Sequence, residues 1–252
     1  MTMYLSCLLI DVGTNPDRPR PGRLWLRNLY RVHQRLCMAF PFPETKTDDP
    51  AFLKPYNPSG FTALQAPRDT DNNFLFRIDP QPGGRVVILV LSAPKPDWDY
   101  AFQNALYLLA ASAQELPPMK LSWQTDTQLR FRLTANPVYR ATAKSVGPDG
   151  KPVDQKWVGK RVPVAPNEDA MRKWLEGKGP NCGFRLQSVS LVQPGYVYIN
   201  KTRDRDKGQR LRSVRYEGQL EVTDTDSFRK TLVSGIGPGK AFGFGLLSIA
   251  PA

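Results

Sequence analysis

Leu129-Arg130-Phe131-Arg132-Leu133-Thr134 alternates apolar with polar side chains, and Ala135-Asn136-Pro137 stops the run. Period-two alternation belongs to a strand with one face buried and one in water, so the stretch reads as a half-buried strand that closes what precedes it. Upstream, Met3 to Ile10 is an apolar strand, and Leu26, Leu29, Val32 and Leu36 recur at three- and four-residue steps along a helix from Leu24 to Ala39. A loop rich in Pro and Asp follows from Pro41 to Gly60. Phe74 to Ile78 and Arg85 to Leu91 read as strands on either side of Pro80-Gln81-Pro82-Gly83-Gly84, and Ala101 to Ala113 reads as a helix.

With Leu129 to Thr134 as its last member, the order is strand, helix, strand, strand, helix, strand, and after Pro137 it repeats. Lys160 to Val164 is a short strand. Asn167-Glu168-Asp169 opens a helix whose first-turn acids complement its dipole, and Gly177-Lys178-Gly179 ends it. Phe184 to Val192 is the next strand, and Tyr196 to Asn200 and Leu211 to Val222 are the arms of a long basic hairpin. Asp224 to Ser234 is a helix and Phe242 to Ile249 the last strand. The expected class is α+β, with two tandem ferredoxin-like (RRM-like) βαββαβ domains over residues 1–138 and 139–252.

Composition narrows the chemistry. Lys and Arg number 35 against 23 Asp and Glu, a formal charge of +12, and such an excess calls for a polyanionic partner. Nucleic acid fits better than a membrane surface, because the charge sits in turn-rich segments rather than on an amphipathic helix. No apolar run approaches the ~20 residues that cross a bilayer, and Met1 to Asp11 lacks the basic start of a signal peptide, so a cytoplasmic location is expected. A single histidine and three widely spaced cysteines, Cys7, Cys37 and Cys182, offer no zinc or redox motif. No carboxylate pair has the spacing of a two-metal nuclease, so neither metal nor cofactor is expected.

Three constellations carry chemistry. Gly235-Ile236-Gly237-Pro238-Gly239-Lys240-Ala241-Phe242-Gly243-Phe244-Gly245 holds five glycines, and such a loop lets backbone amides approach phosphates, with Gly237, Gly239, Lys240 and Gly243 as candidates. It is not a nucleotide P-loop: Ser234 stands where the first Gly is needed and Ala241 where the hydroxyl is needed. A turn built for close packing is the plain alternative. Arg27, Tyr30 and His33, with Gln34 beside them, fall at three-residue steps on the first helix, so a cation, a phenol and an imidazole share one face. Imidazole is the side chain suited to proton transfer near neutrality, although a helix-edge histidine with a structural hydrogen bond is the ordinary case. Lys201, Arg203, Arg205, Lys207, Arg210, Arg212 and Arg215 face only Asp204 and Asp206 on the hairpin, and Lys156, Lys160 and Arg161 form a companion patch. Such cations straddle a duplex, or simply stand in water.

The glycine loop with Phe242 to Ser248, together with Leu29-Tyr30-Arg31-Val32-His33-Gln34, resembles the CasE family of type I-E CRISPR systems. Phe131 to Pro137, Gly159 to Pro163 and Tyr216 to Asp224 fall where that family has similar stretches, in the same order. The resemblance implies a stem-loop repeat RNA as substrate and cleavage at the 3′ base of the stem, leaving 5′-hydroxyl and 2′,3′-cyclic phosphate ends. It also implies membership of the Cascade complex, His33 as the proton-transfer residue, Tyr30 as its partner, and Lys160 and Arg161 among the groups that grip RNA. A non-catalytic RNA-binding subunit of a ribonucleoprotein is the alternative.

Overall fold

The computed structural model describes residues 3–13, 20–41, 74–118, 121–145, 151–152, 154–200 and 208–252. The chain forms two units: Met1–Met119, Tyr198–Gln209 and Ala241–Gly243 make the first, and Lys120–Val197, Arg210–Lys240 and Phe244–Ala252 the second. Of the basic hairpin, Lys201, Arg203, Arg205 and Lys207 lie outside the described residues, as does the expected loop beyond Pro41.

In the first unit, β1 (Tyr4–Asp11), β2 (Phe74–Gln81), β3 (Arg85–Ser92) and β4 (Gln114–Leu116) form an antiparallel sheet in the order β2-β3-β1-β4. Register sets Leu8 against Ile88 and Ile10 against Val86, all four buried, as alternation along both strands requires. The helix expected from Leu24 to Ala39 is two helices, α1 (Pro21–Leu26) and α2 (Leu29–Cys37). Asn28 breaks it. Its backbone is extended, and its carboxamide oxygen accepts the Tyr30 N–H at 3.2 Å, which makes it the N-cap of α2. Leu29, Val32 and Leu36 form the buried face of α2, as their spacing predicts. In place of a helix over Ala101 to Ala113 stand α3 (Trp98–Phe102), a 3₁₀ turn at Leu106–Leu108 and then β4. Inside β2, Arg77 and Asp79 form a buried ion pair, Nε to Oδ2 2.8 Å.

In the second unit, β5 (Gln128–Ala135), β8 (Phe184–Ile199), β9 (Gln209–Val222) and β10 (Leu247–Pro251) form a sheet in the order β10-β5-β9-β8. In both sheets the first and third strands of the set lie in the middle. The protein is thus α+β, with two tandem ferredoxin-like domains. The alternating strand over Leu129 to Thr134 does not close the first sheet, however; it opens the second, where Leu133 lies between Tyr216 on β9 and Leu247 on β10. Lys160 to Val164, expected to open the second sheet, contributes instead β7 (Arg161–Pro163), paired with β6 (Val138–Arg140) in a separate two-stranded ladder.

Helix α4 (Glu168–Glu176) is capped by Asn167, whose side chain accepts the Ala170 N–H at 2.8 Å. A short helix α5 (Gly179–Cys182) follows, and α6 (Thr225–Ser234) is capped by Asp224. Hydrogen bonds from Ser227 hold the Asp224 carboxyl below its ordinary range. Trp174 of α4 stacks on Tyr216 of β9 with ring centroids 6.1 Å apart. The Tyr216 hydroxyl donates to Met171 O at 3.1 Å, and burial pushes its pKa up. No described helix is long and apolar enough to cross a membrane.

Candidate nucleic-acid interface

Helix α2 presents Tyr30 and His33 one turn apart, but not alike. Tyr30 is half-buried, whereas His33 is only 8% exposed. The imidazole stacks on Phe74 of β2 with centroids 5.8 Å apart, and Cys37 Sγ lies 3.5 Å from Nε2 and 3.7 Å from Nδ1. Arg27 is exposed and caps the C-terminus of α1, so it does not share a helix with Tyr30 and His33 as the three-residue spacing predicts. Two contacts fix α2 in place. Arg35 donates to Ala101 O at 2.9 Å and to Asn104 Oδ1 at 2.8 Å.

Asn28 makes the second, and sequence periodicity gave no sign of it. Its side-chain amide donates to Asn200 O at 2.8 Å, and its oxygen accepts from Asn200 N at 3.1 Å as well as from Tyr30 N. One carboxamide therefore starts the helix and ties it to Asn200, the residue after β8. A lost cap costs ~1 kcal/mol and each lost hydrogen bond about as much again, so Asn28→Ala should lower stability by about 2–3 kcal/mol in urea unfolding. Asn28→Ser keeps the cap alone and should lose less than that; a serine variant as stable as wild type would show that the Asn200 bonds contribute nothing, and equal losses in the two variants that the cap contributes nothing.

On the hairpin of β8 and β9, two of the described arginines face an exposed tyrosine. Arg210 Cζ lies 4.4 Å and Arg212 Cζ 5.9 Å from the Tyr196 ring centroid. A hydrogen bond with Arg212, then its charge, holds the Tyr196 phenol below its ordinary pKa. Arg212 also donates to Val164 O, which anchors its guanidinium. Tyr196 adds an aromatic surface to what the sequence shows only as a run of cations. In the companion patch, Lys156 pairs with Asp154 at 2.8 Å, while Lys160 lies 5.4 Å over the exposed Trp157 ring. Arg161 is exposed on β7.

The glycine loop is shaped first by its own packing. Gly237 has φ +78°, and a Cβ there would lie 3.1 Å from the Trp174 ring; Gly243 has φ +80°, with Phe76 at 3.2 Å from such a Cβ. A Cβ on Gly239 would meet Phe244 at 2.8 Å. These glycines are needed by the protein core whether or not a phosphate approaches them. Lys240 is half-buried, and desolvation lowers its pKa.

A family model described as CRISPR associated protein matches residues 3–251. The CRISPR-associated endoribonuclease Cse3 of Thermus thermophilus is 33% identical over 261 residues, covering 99% of this chain and 100% of that protein. The CRISPR system Cascade subunit CasE of Escherichia coli is 27% identical, again over 99% of this chain and 100% of the relative. The chain belongs to the CasE/Cse3 family of CRISPR-associated proteins. Among solved CasE/Cse3 structures, Thermus thermophilus Cse3 bound to an RNA representing a pre-cleavage complex is 28% identical and aligns with a TM-score of 0.66, covering 100% of both chains. The CasE/Cse3 likeness thus spans the chain from end to end.

Proposed function

We propose that this protein is a metal-independent endoribonuclease that cleaves CRISPR precursor RNA at the 3′ base of the repeat stem-loop and keeps hold of the mature guide RNA. The observation that carries the reading is the end-to-end match to Thermus thermophilus Cse3, named an endoribonuclease and solved with a pre-cleavage RNA. Its partners are the repeat stem-loop and, from the name of the Escherichia coli relative, the other Cascade subunits in the cytoplasm. In the reaction, the RNA's own 2′-oxygen bonds to the adjacent phosphorus while the bond to the 5′-oxygen breaks. The 2′ proton leaves to a base and the 5′-oxygen gains one, which yields a 2′,3′-cyclic phosphate and a 5′-hydroxyl. We assign His33 to proton transfer and Tyr30 to holding the ribose or phosphate, with Arg27, the patch of Lys156, Lys160 and Arg161, the hairpin cations and the glycine loop gripping the RNA.

The burial of His33 favours one rival, a subunit that binds RNA without cutting it. Incubation with the host repeat RNA in EDTA decides between them. Cleavage should proceed unchanged and leave the cyclic phosphate, and a 2′-deoxy nucleotide at the cut should abolish it while sparing binding. Cleavage that stops on chelation, or that survives the deoxy substitution, sinks the mechanism.

A further inference from the structure

The second unit holds a cavity of about 600 Å³ lined, among the described residues, by three cations, Arg140, Arg161 and Lys178, and by no acid. Two of them stand directly opposite one another: Arg140 and Arg161 are register partners on the β6–β7 ladder. Like charges at opposed positions destabilise a ladder, and this one has only three residue pairs over which to offset the repulsion. An anion between the two guanidinium groups reverses the sign of that interaction.

The cations are also held apart by the protein. Arg140 Nε donates to Gly159 O at 2.9 Å, which fixes its guanidinium at the end of the ladder. Lys178 Nζ lies 5.7 Å from the centroid of the Trp174 ring. That ring is itself pinned, since Trp174 Nε1 donates to Val138 O at 2.8 Å and Gly237 packs on its edge. The remaining wall is Tyr139 on one strand and Pro238 in the glycine loop, both flat and largely apolar. Fixed cations beside flat apolar walls match a phosphodiester carrying a base.

Resting on the RNA-binding reading above, the geometry points to this cavity as the seat of one unpaired nucleotide of the RNA. Its phosphate lies among Arg140, Arg161 and Lys178, and its base lies against Tyr139 and Pro238. Only an unpaired nucleotide qualifies, because a base inside a stem must leave its stack before it can enter a pocket. The site reads the presence of a single-stranded nucleotide next to a stem, a feature that duplex-gripping cations do not sense.

The test uses the full chain and its host's repeat RNA, with the unpaired nucleotides replaced one at a time by abasic ones. The Arg140→Gln/Lys178→Gln double variant, both positions at the surface, should bind the full repeat about tenfold more weakly, since two charge-assisted phosphate contacts are lost. On a stem trimmed of its unpaired nucleotides it should bind as wild type does. One abasic position should weaken wild type and leave the double variant indifferent. Equal affinity of the two proteins for the full repeat, equal loss on the trimmed stem, or an abasic scan that weakens wild type nowhere each overturns the proposal. Unchanged RNA binding with failed assembly onto other subunits also overturns it, in favour of an acidic protein segment. Wild-type protein that ignores the repeat altogether refutes the RNA reading itself, a result distinct from all of these.

Discussion

His33→Ala is expected to slow single-turnover cleavage of repeat RNA by about 10²- to 10⁴-fold, the usual contribution of a positioned acid or base, while affinity stays close to wild type. Affinity should hold because the substitution leaves untouched the cations proposed to grip RNA, Arg210 and Arg212 on the hairpin, Lys160, and Arg161 of β7. The burial of His33 complicates the alanine variant, since it also removes a ring that stacks on Phe74. His33→Gln fills most of the space and still hydrogen-bonds, yet it cannot relay a proton. A catalytic histidine predicts the same loss of rate in both variants, with the larger drop in melting temperature confined to alanine. A packing histidine predicts the reverse: cleavage per bound RNA unchanged in both, and stability lost in proportion to the ring removed. Tyr30→Phe should be milder than either, because it deletes one hydroxyl and keeps the ring.

The fold class was legible because period-two and three-to-four-residue spacings survive in Leu8, Ile10, Val86, Ile88 and in Leu29, Val32, Leu36. What the spacing could not supply was the count of strands. β4 is three residues, Gln114–Leu116, mostly exposed, and without alternation, so no pattern marks it as the edge of a sheet. With β4 unmarked, the spacing makes the next clear strand, β5, the fourth member of the first set and puts Lys160 to Val164 at the head of the second, while the strands corresponding to β8, β9 and β10 keep their places. The same limit applies to Asn28, where an N-cap lies inside a heptad-like apolar series. Its polarity is the only trace, since capping depends on backbone dihedrals that composition does not reveal. At the candidate site the sequence lists cations readily but not what holds them. Tyr196 beneath Arg210 and Arg212, and the opposition of Arg140 to Arg161, both arise from strand register, a long-range property.

Asp79→Ala is expected to be the most disruptive of the single substitutions considered for stability, at about 3–5 kcal/mol, with an unchanged urea m-value. The carboxylate and Arg77 are 7% and 5% exposed, and Arg77 Nε reaches both Asp79 oxygens, at 3.0 and 2.8 Å. Removing the acid leaves a guanidinium shut away from water without that partner, and it is the stranded charge rather than the lost attraction that dominates the cost. The double replacement Arg77→Met/Asp79→Leu takes out both charges and fills the space, so it should recover most of the loss. Failure to recover it would mean that the pair is favourable in itself and not merely costly to break. The consequence reaches the candidate site through β2, because Phe74 at the head of the same strand carries the stack against His33. Cleavage by Asp79→Ala should therefore fall in step with unfolding as urea is added, and it should return in the double variant. A rate that fell with the fold intact would tie the ion pair to His33 directly.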